Sequence, residues 1–271
     1  MSTLLTRRLL AGLALAILAC ASAQAGTLDD IRKAGKVRIA IDTAIPPFGM
    51  TDDKLQPTGS DVETAQLLAK DLGVALEIVT TTGPTRIPML QTNKADLVIS
   101  TLSITPERAK VIDFSVPYAD HPSVVAALKS VQFSSYADLV GKKVAVVRGT
   151  TQDTDLTREA LTGQARGAQL VRYEDDATMA LAFASGQVDI LATARSLLPA
   201  ISKKNPARVA EQRIVMQTFY LAVGLRKNEP ELKSWVDRWV RTNLENGKLG
   251  AIYKKYHGID IPTDQLLKTG G

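Results

Sequence analysis

Apolar positions in this chain follow two periods that alternate along its length. Val37, Ile39 and Ile41 recur at every second residue and predict a strand over 37–41. Over 60–71, Val62, Ala65, Leu68 and Ala69 fall on one helical face. Ser60 and Glu63 stand in capping-box spacing, and Gly73 follows as a stop. Strands are expected at 75–79 and 96–100. Between them a helix carries Arg86-Ile87-Pro88-Met89-Leu90, its start set by Pro88. A further helix begins at Thr105-Pro106, where Thr105 can cap and proline suits the first turn.

The order then repeats. A strand at 143–147 leads through the turn Gly149-Thr150-Thr151 to a helix at 153–161. A strand at 170–173, a helix at 176–185 stopped by Gly186, and a strand at 188–191 follow. A late strand at 219–225 and two amphipathic helices within 229–256 close the pattern. Strands alternating with helices of about ten residues predict mainly parallel sheets. Two such halves in one chain predict a two-lobe α/β protein with its ligand in the crevice between lobes. The expected division is lobe 1 over 26–120, lobe 2 over 121–219, and a return to lobe 1 with the C-terminal helices over 220–271. Crossings between lobes are expected near 118–122 and 218–222.

The segment 1–25 stands outside this rhythm. Arg7 and Arg8 precede an apolar run at 9–19, and Ala23-Gln24-Ala25 gives a small-x-small cleavage site before Gly26. The run is shorter than the ~20 residues a membrane span needs, so it reads as a cleaved signal peptide. Ile17-Leu18-Ala19-Cys20 is a poor lipoprotein box that would tether the protein through Cys20, and Thr6-Arg7-Arg8 faintly resembles a twin-arginine signal. The expected location is the periplasm.

Composition narrows the function. Cys20 is the single cysteine, so the mature fold relies on an ordinary core rather than disulfides. Arg7 and Arg8 account for two units of the formal +5 charge, and the remaining basic residues are dispersed. There is no basic run with interleaved aromatics, so nucleic acid is not expected as a partner. His121 and His257 are isolated from cysteine and acidic clusters, which leaves no expectation of a metal or any other cofactor. Trp235 and Trp239, four residues apart, read as packing on the late helix.

A cleft between two such lobes is lined by strand C-termini and helix N-termini, whose free N–H groups favour an anion. The hydroxyl-bearing turns at 101–105 and 149–151 sit there, and the first leads to Arg108. Arginine presents a fork that matches a carboxylate in two parallel bonds. A cleft built this way favours an anion, most economically a carboxylate.

These residues resemble a known group, the polar amino acid-binding proteins of bacterial ATP-driven (ABC) importers, the family 3 extracellular solute-binding proteins. The resemblance covers nearly all of 36–258. It is most specific at Leu102-Ser103-Ile104-Thr105-Pro106-Glu107-Arg108-Ala109, continuing to Asp113-Phe114-Ser115 and Pro117-Tyr118. Pro46-Pro47-Phe48, Asp61-Val62-Glu63, Gly149-Thr150-Thr151, Gly186-Gln187-Val188-Asp189 and Asn246-Gly247-Lys248 add to it. The resemblance implies a type II periplasmic-binding-protein fold. It also implies a monomer that closes about its hinge on a polar, acidic amino acid and hands it to an inner-membrane permease.

By the same resemblance, Arg108 grips the ligand carboxylate, Thr101 and Ser103 add hydrogen bonds, and Thr150 with Thr151 closes from the second lobe. Arg86 takes a second carboxylate, and Asp42 touches the ligand from the first lobe. Against these stand plainer roles: helix capping for the hydroxyls, turn capping for Asp42, and an exposed first-turn position for Arg86.

The departures are specific. The family places an Asp five residues after the Asp of Val188-Asp189, where it pairs with the ligand ammonium; here that residue is Ala194. Ile45 and Gly83 stand where aromatics usually sandwich the ligand. An amino-free organic di-acid is therefore the alternative ligand. A periplasmic dehydratase is the enzymatic rival, with Asp153 as the second-lobe acid to consider.

Overall fold

The computed structural model describes residues 26–269; the leader and Cys20 lie outside them. The first half begins with helix α1 (Thr27–Ala34) and strand β1 (Lys36–Ile41), then a short hairpin of β2 (Met50–Thr51) and β3 (Pro57–Thr58). It continues as α2 (Ser60–Leu72), β4 (Ala75–Thr80), α3 (Arg86–Gln91), β5 (Leu97–Val98) and α4 (Pro106–Ala109). After the long strand β6 (Asp113–Leu128) comes β7 (Lys143–Val147), α5 (Thr151–Leu161), β8 (Gln169–Tyr173), α6 (Asp176–Ser185), β9 (Ile190–Ala194) and α7 (Leu198–Lys203). A second long strand, β10 (Ala210–Leu225), returns the chain to α8 (Pro230–Glu245), α9 (Lys248–His257) and α10 (Thr263–Thr269).

One mixed eight-stranded sheet has the order β4-β1-β5-β10-β6-β9-β7-β8. Its two ends mirror each other. β1 runs parallel to β4 and β5, and β7 runs parallel to β8 and β9. Each end is thus one β-α-β-α-β unit, which accounts for the repeated rhythm in the sequence. The centre is antiparallel: β6 and β10 pair through most of their sixteen residues each. The sequence reading recovered only 219–225 of this pair. Pro117 and Pro122 fall within β6, and in 211–218 the apolar residues form one run, Ile214-Val215-Met216, without the alternation that marks a half-buried strand. Four register shifts along the pair mark its departures from a regular ladder. The two expected crossing segments lie side by side in it, with Leu221 opposite Ala119 and Thr218 opposite Pro122.

α2 starts where expected but not by a capping box. Gly59 is the N-cap at φ 123, and no side chain caps it. A Cβ at Gly59 would lie 2.3 Å from the Phe48 carbonyl oxygen, so both backbone angle and space demand glycine. Ser60 Oγ instead meets His257 Nε2 at 3.0 Å, and the Glu63 carboxylate receives Tyr256 Oη and Lys255 Nζ from α9. These contacts tie the C-terminal helices to the first half. Trp235 and Trp239 stack, and Trp239 Nε1 donates to Asp71 at 2.9 Å, in keeping with a packing role.

Candidate functional site

Asp42 follows β1, Arg86 opens α3, and Thr101 and Ser103 follow β5. Thr150 and Thr151 open α5, Asp176 opens α6, and Ala194 ends β9. All of them line one cavity of about 40 Å³ between the two ends of the sheet, together with Ile45, Gly83, His121, Gln152 and Thr193. That space holds only a few water molecules. Six of the seven expected site residues meet there. The seventh, Arg108, lies in the wall of an adjoining cavity of about 550 Å³ that shares Gly83 and Thr151 with the first.

Thr105 caps α4 as expected, accepting from Arg108 N at 3.2 Å, and this sets the direction of the Arg108 side chain. Arg108 donates to the Ser103 carbonyl at 2.9 Å and, across the cleft, to the Gly149 carbonyl at 3.1 Å. It is buried, and among the described residues it makes no salt bridge. Burial and the neighbouring Arg86 push its pKa down to about 9. A guanidinium so placed remains charged at neutral pH and lacks a counter-ion.

Arg86 is more deeply held than a first-turn surface arginine. Its Nη1 donates to the Ser100 carbonyl at 2.7 Å and the Thr101 carbonyl at 3.2 Å, while its buried Nε has no partner. Burial lowers its pKa, opposed by the charges of Asp42, Asp176 and Asp61. Asp61, in the first turn of α2, accepts Thr101 N at 2.7 Å and Tyr118 Oη at 2.9 Å. Those two bonds hold Thr101 at a φ of 44°, in the left-handed region where threonine is uncommon. Burial raises Asp61 to about 6. Asp61→Ala should therefore cost about 2 kcal/mol in urea unfolding, because it strands two buried donors; a loss under about 0.5 kcal/mol would contradict this.

The hydroxyls are largely committed to the fold. Thr150 Oγ1 caps α5 by accepting Asp153 N, and it donates to the Val147 carbonyl at 2.7 Å. Thr151 Oγ1 donates to Gln152 Oε1, and Gln152 Nε2 reaches Ser123 Oγ at 2.8 Å. Ser103 Oγ lies 3.3 Å from His121 Nε2. Asp42 accepts Ala44 N at 2.9 Å, a turn cap that coexists with its place in the cavity wall. His121 is buried between Phe48 and Phe219, and burial with the two arginines drives its pKa down to about 3, so it is neutral. Asp153, the acid considered for catalysis, is bound to Arg172 at 2.7 Å and accepts Gly149 N at 3.1 Å. It does not line the cavity.

The family model for bacterial extracellular solute-binding proteins, family 3, matches residues 37–259. The chain belongs to that family. Among relatives of this family 3 protein is the L-cystine-binding protein TcyJ of Escherichia coli, 29% identical over 88% of this chain and 89% of its own length. A solved arginine-binding protein from T. maritima superposes with a TM-score of 0.78 at 30% identity, covering 86% of this chain and all of that one. An ancestral amino acid-binding protein titled as a precursor of cyclohexadienyl dehydratase gives a TM-score of 0.76 at 34% identity, over 85% of this chain and 99% of that one. The two-lobe architecture and the mixed α/β sheet follow from these likenesses as well as from the topology.

In the family 3 chain, Gly83 stands where the two halves come close. A Cβ there would sit 3.3 Å from Val147 Cγ1 and 3.4 Å from both the Arg148 oxygen and Thr150 Cγ2. The two ends of the sheet touch at this point. Gln152, Thr193 and Asp176 line the cavity without having been singled out, and His121, considered only as a metal ligand, lines it too. Gln152 and Asp176 carried a usable signal, since each falls in the first turn of a helix that follows a strand. His121 and Thr193 lie within strands and carried none. Among the described residues no group of His, Cys, Asp or Glu could hold a metal, and no helix is long and apolar enough to cross a membrane.

Proposed function

We propose that this chain is the capture component of an ABC importer, binding a polar amino acid by its carboxylate at Arg108 and closing over it. The observation that carries this reading is Arg108: a buried charge with no carboxylate of its own, reaching across the cleft from Ser103 to Gly149. A ligand carboxylate would supply the missing counter-charge. Relatives named as cystine-, arginine- and glutamine-binding proteins support an amino acid as the ligand class. A segment at 1–25 with the pattern of a signal peptide supports export to the periplasm, where the partner would be an inner-membrane permease. The protein acts as a monomer in this reading.

The cavity of about 40 Å³ adjoins the one of about 550 Å³ that holds Arg108, and a ligand bonded from both ends of the sheet would enter as those ends part. The paired strands β6 and β10 join those ends and are the hinge of this reading. The closed arrangement is then favoured by whatever the ligand bonds on both sides. Gly83→Phe should act as a wedge. Affinity should fall about tenfold or more, and ligand should no longer reduce the radius of gyration in small-angle scattering. Normal compaction in that variant would contradict closure at this contact.

Transport asks no chemistry of the protein. The test is a thermal-melt screen of refolded, ligand-stripped protein against the common amino acids, L-cystine and amino-free dicarboxylates. A ligand at about 100 times its dissociation constant adds ~2.7 kcal/mol, a rise of about 5–10 °C for a protein of this size. The bound compound should be recovered unchanged. Loss of water or ammonia from it would replace the transport reading with an enzymatic one.

A further inference from the structure

α3 and α6 occupy equivalent places in the two β-α-β-α-β units, each following the outer strand of its unit. Arg86 is the first residue of one and Asp176 the first residue of the other, and both line the same cavity. The two units therefore present opposite charges to one space. Asp176 shares that wall with Thr193 and Ala194, the position where a carboxylate was expected and alanine stands.

The other acids near the cavity each accept at least one hydrogen bond. Asp42 accepts Ala44 N, and Asp61 accepts Thr101 N and Tyr118 Oη. The Asp176 carboxyl makes no hydrogen bond among the described residues. Arg86 does not satisfy it either: Nη1 is spent on two carbonyls, and Nε is buried without a partner. Arg86 feels three carboxylates, those of Asp42, Asp176 and Asp61. Arg86 is thus one arginine among three acids, whereas Arg108, in the wall of the adjoining cavity, makes no salt bridge among the described residues. The site has the polarity of a zwitterion.

We propose that Asp176 receives the ammonium group of the ligand, supplying from the start of α6 the carboxylate that Ala194 cannot. This inference rests on the amino acid reading above and deepens it, because it requires the ligand to carry an amino group and sets amino-free di-acids aside. Charges facing Asp176 come from Asp42 just after β1, Arg86 on α3 and the adjacent Asp175, while neutral His121 lines the same cavity from β6. Burial, then Asp42, raises the empty-state carboxyl to about 7. An arriving ammonium favours the ionised form. Binding near pH 6.5 should then release a proton.

The test is isothermal titration of wild type and Asp176→Asn with pairs matched except for the amino group: L-glutamate with glutarate, L-aspartate with succinate, and L-glutamine, L-arginine and L-cystine with their deamino analogues. Titration at pH 6.5 in two buffers of different ionisation enthalpy counts protons. Asparagine is nearly isosteric, and a thermal melt checks that the variant folds. The expected result is that wild type prefers one amino acid over its deamino analogue by tenfold or more and releases a proton on binding it. Asp176→Asn should lose about 10- to 100-fold for that amino acid and lose the proton release. Equal affinity and equal proton release in both proteins would overturn the role of Asp176 while leaving the amino acid reading intact. A wild type that binds only the deamino acids, or none of these compounds, would overturn both.

Discussion

Arg108→Ala is expected to weaken ligand binding by more than about 100-fold, measured by isothermal titration, while the unliganded protein still folds. Removing one member of a desolvated charge pair costs about 2–5 kcal/mol, and a two-pronged arginine–carboxylate contact belongs at the upper end of that range. The unliganded fold should tolerate the change. Arg108 gives up two hydrogen bonds to carbonyl oxygens, but burial and Arg86 already disfavour its charge. The melting transition without ligand should therefore stay within about 1 kcal/mol of wild type. Arg108→Lys is expected to recover only part of the affinity, because an ammonium cannot form the paired bonds. Unchanged affinity in Arg108→Ala would remove the carboxylate from this position.

Arg86→Met should have its largest effect on stability. Its side chain is buried among Asp42, Asp61 and Asp176, and its Nη1 holds the carbonyls of Ser100 and Thr101 in place. Breaking a buried charge arrangement from one side costs about 3–5 kcal/mol. The pH dependence gives a further check. Asp61 and Asp176 already lie at about 6 and about 7, above the ordinary 3.8. Loss of Arg86 raises them further. A folded-state pKa above the unfolded one makes a contribution that is full below the unfolded value and lost as pH rises through the folded value. The deficit of Arg86→Met relative to wild type should thus be greater at pH 8 than at pH 5 in urea unfolding. An equal deficit at both, or one below about 1 kcal/mol, would show that the three acids do not depend on this arginine.

The site was unevenly legible. Arg108 stood in a seventeen-residue segment whose order of residues resembles one family, and its Thr105 cap follows from local chemistry alone. Asp42, Arg86, Thr101, Ser103, Thr150 and Thr151 were assigned through the family resemblance, the hydroxyl-bearing turns also because strand ends and helix starts converge in such a fold, and the structure brings them to one cavity. Their second duties were not visible. That Thr150 caps α5, or that Arg86 props up the turn at 100–101, depends on which backbone groups lie within reach after packing. The capping box at Ser60 failed for the same reason. A neighbouring loop crowds Gly59, and helix α9 claims both Ser60 and Glu63.

By itself the sequence determined the alternation of strands and helices, their repetition in two units and the family, and it singled out Arg108 as the candidate for a ligand carboxylate. Each of these follows from local periodicity, local capping or an unbroken run of residues. Only the tertiary structure decided that β6 and β10 are long paired strands, since their prolines and polar residues hide the pattern until the partner strand supplies the hydrogen bonds. It also decided that Arg86 and Asp176 face each other's charge. Periodicity tells which face of an element is buried, but sheet order and cleft closure choose what that face meets, and the charge of a pocket is a property of that meeting.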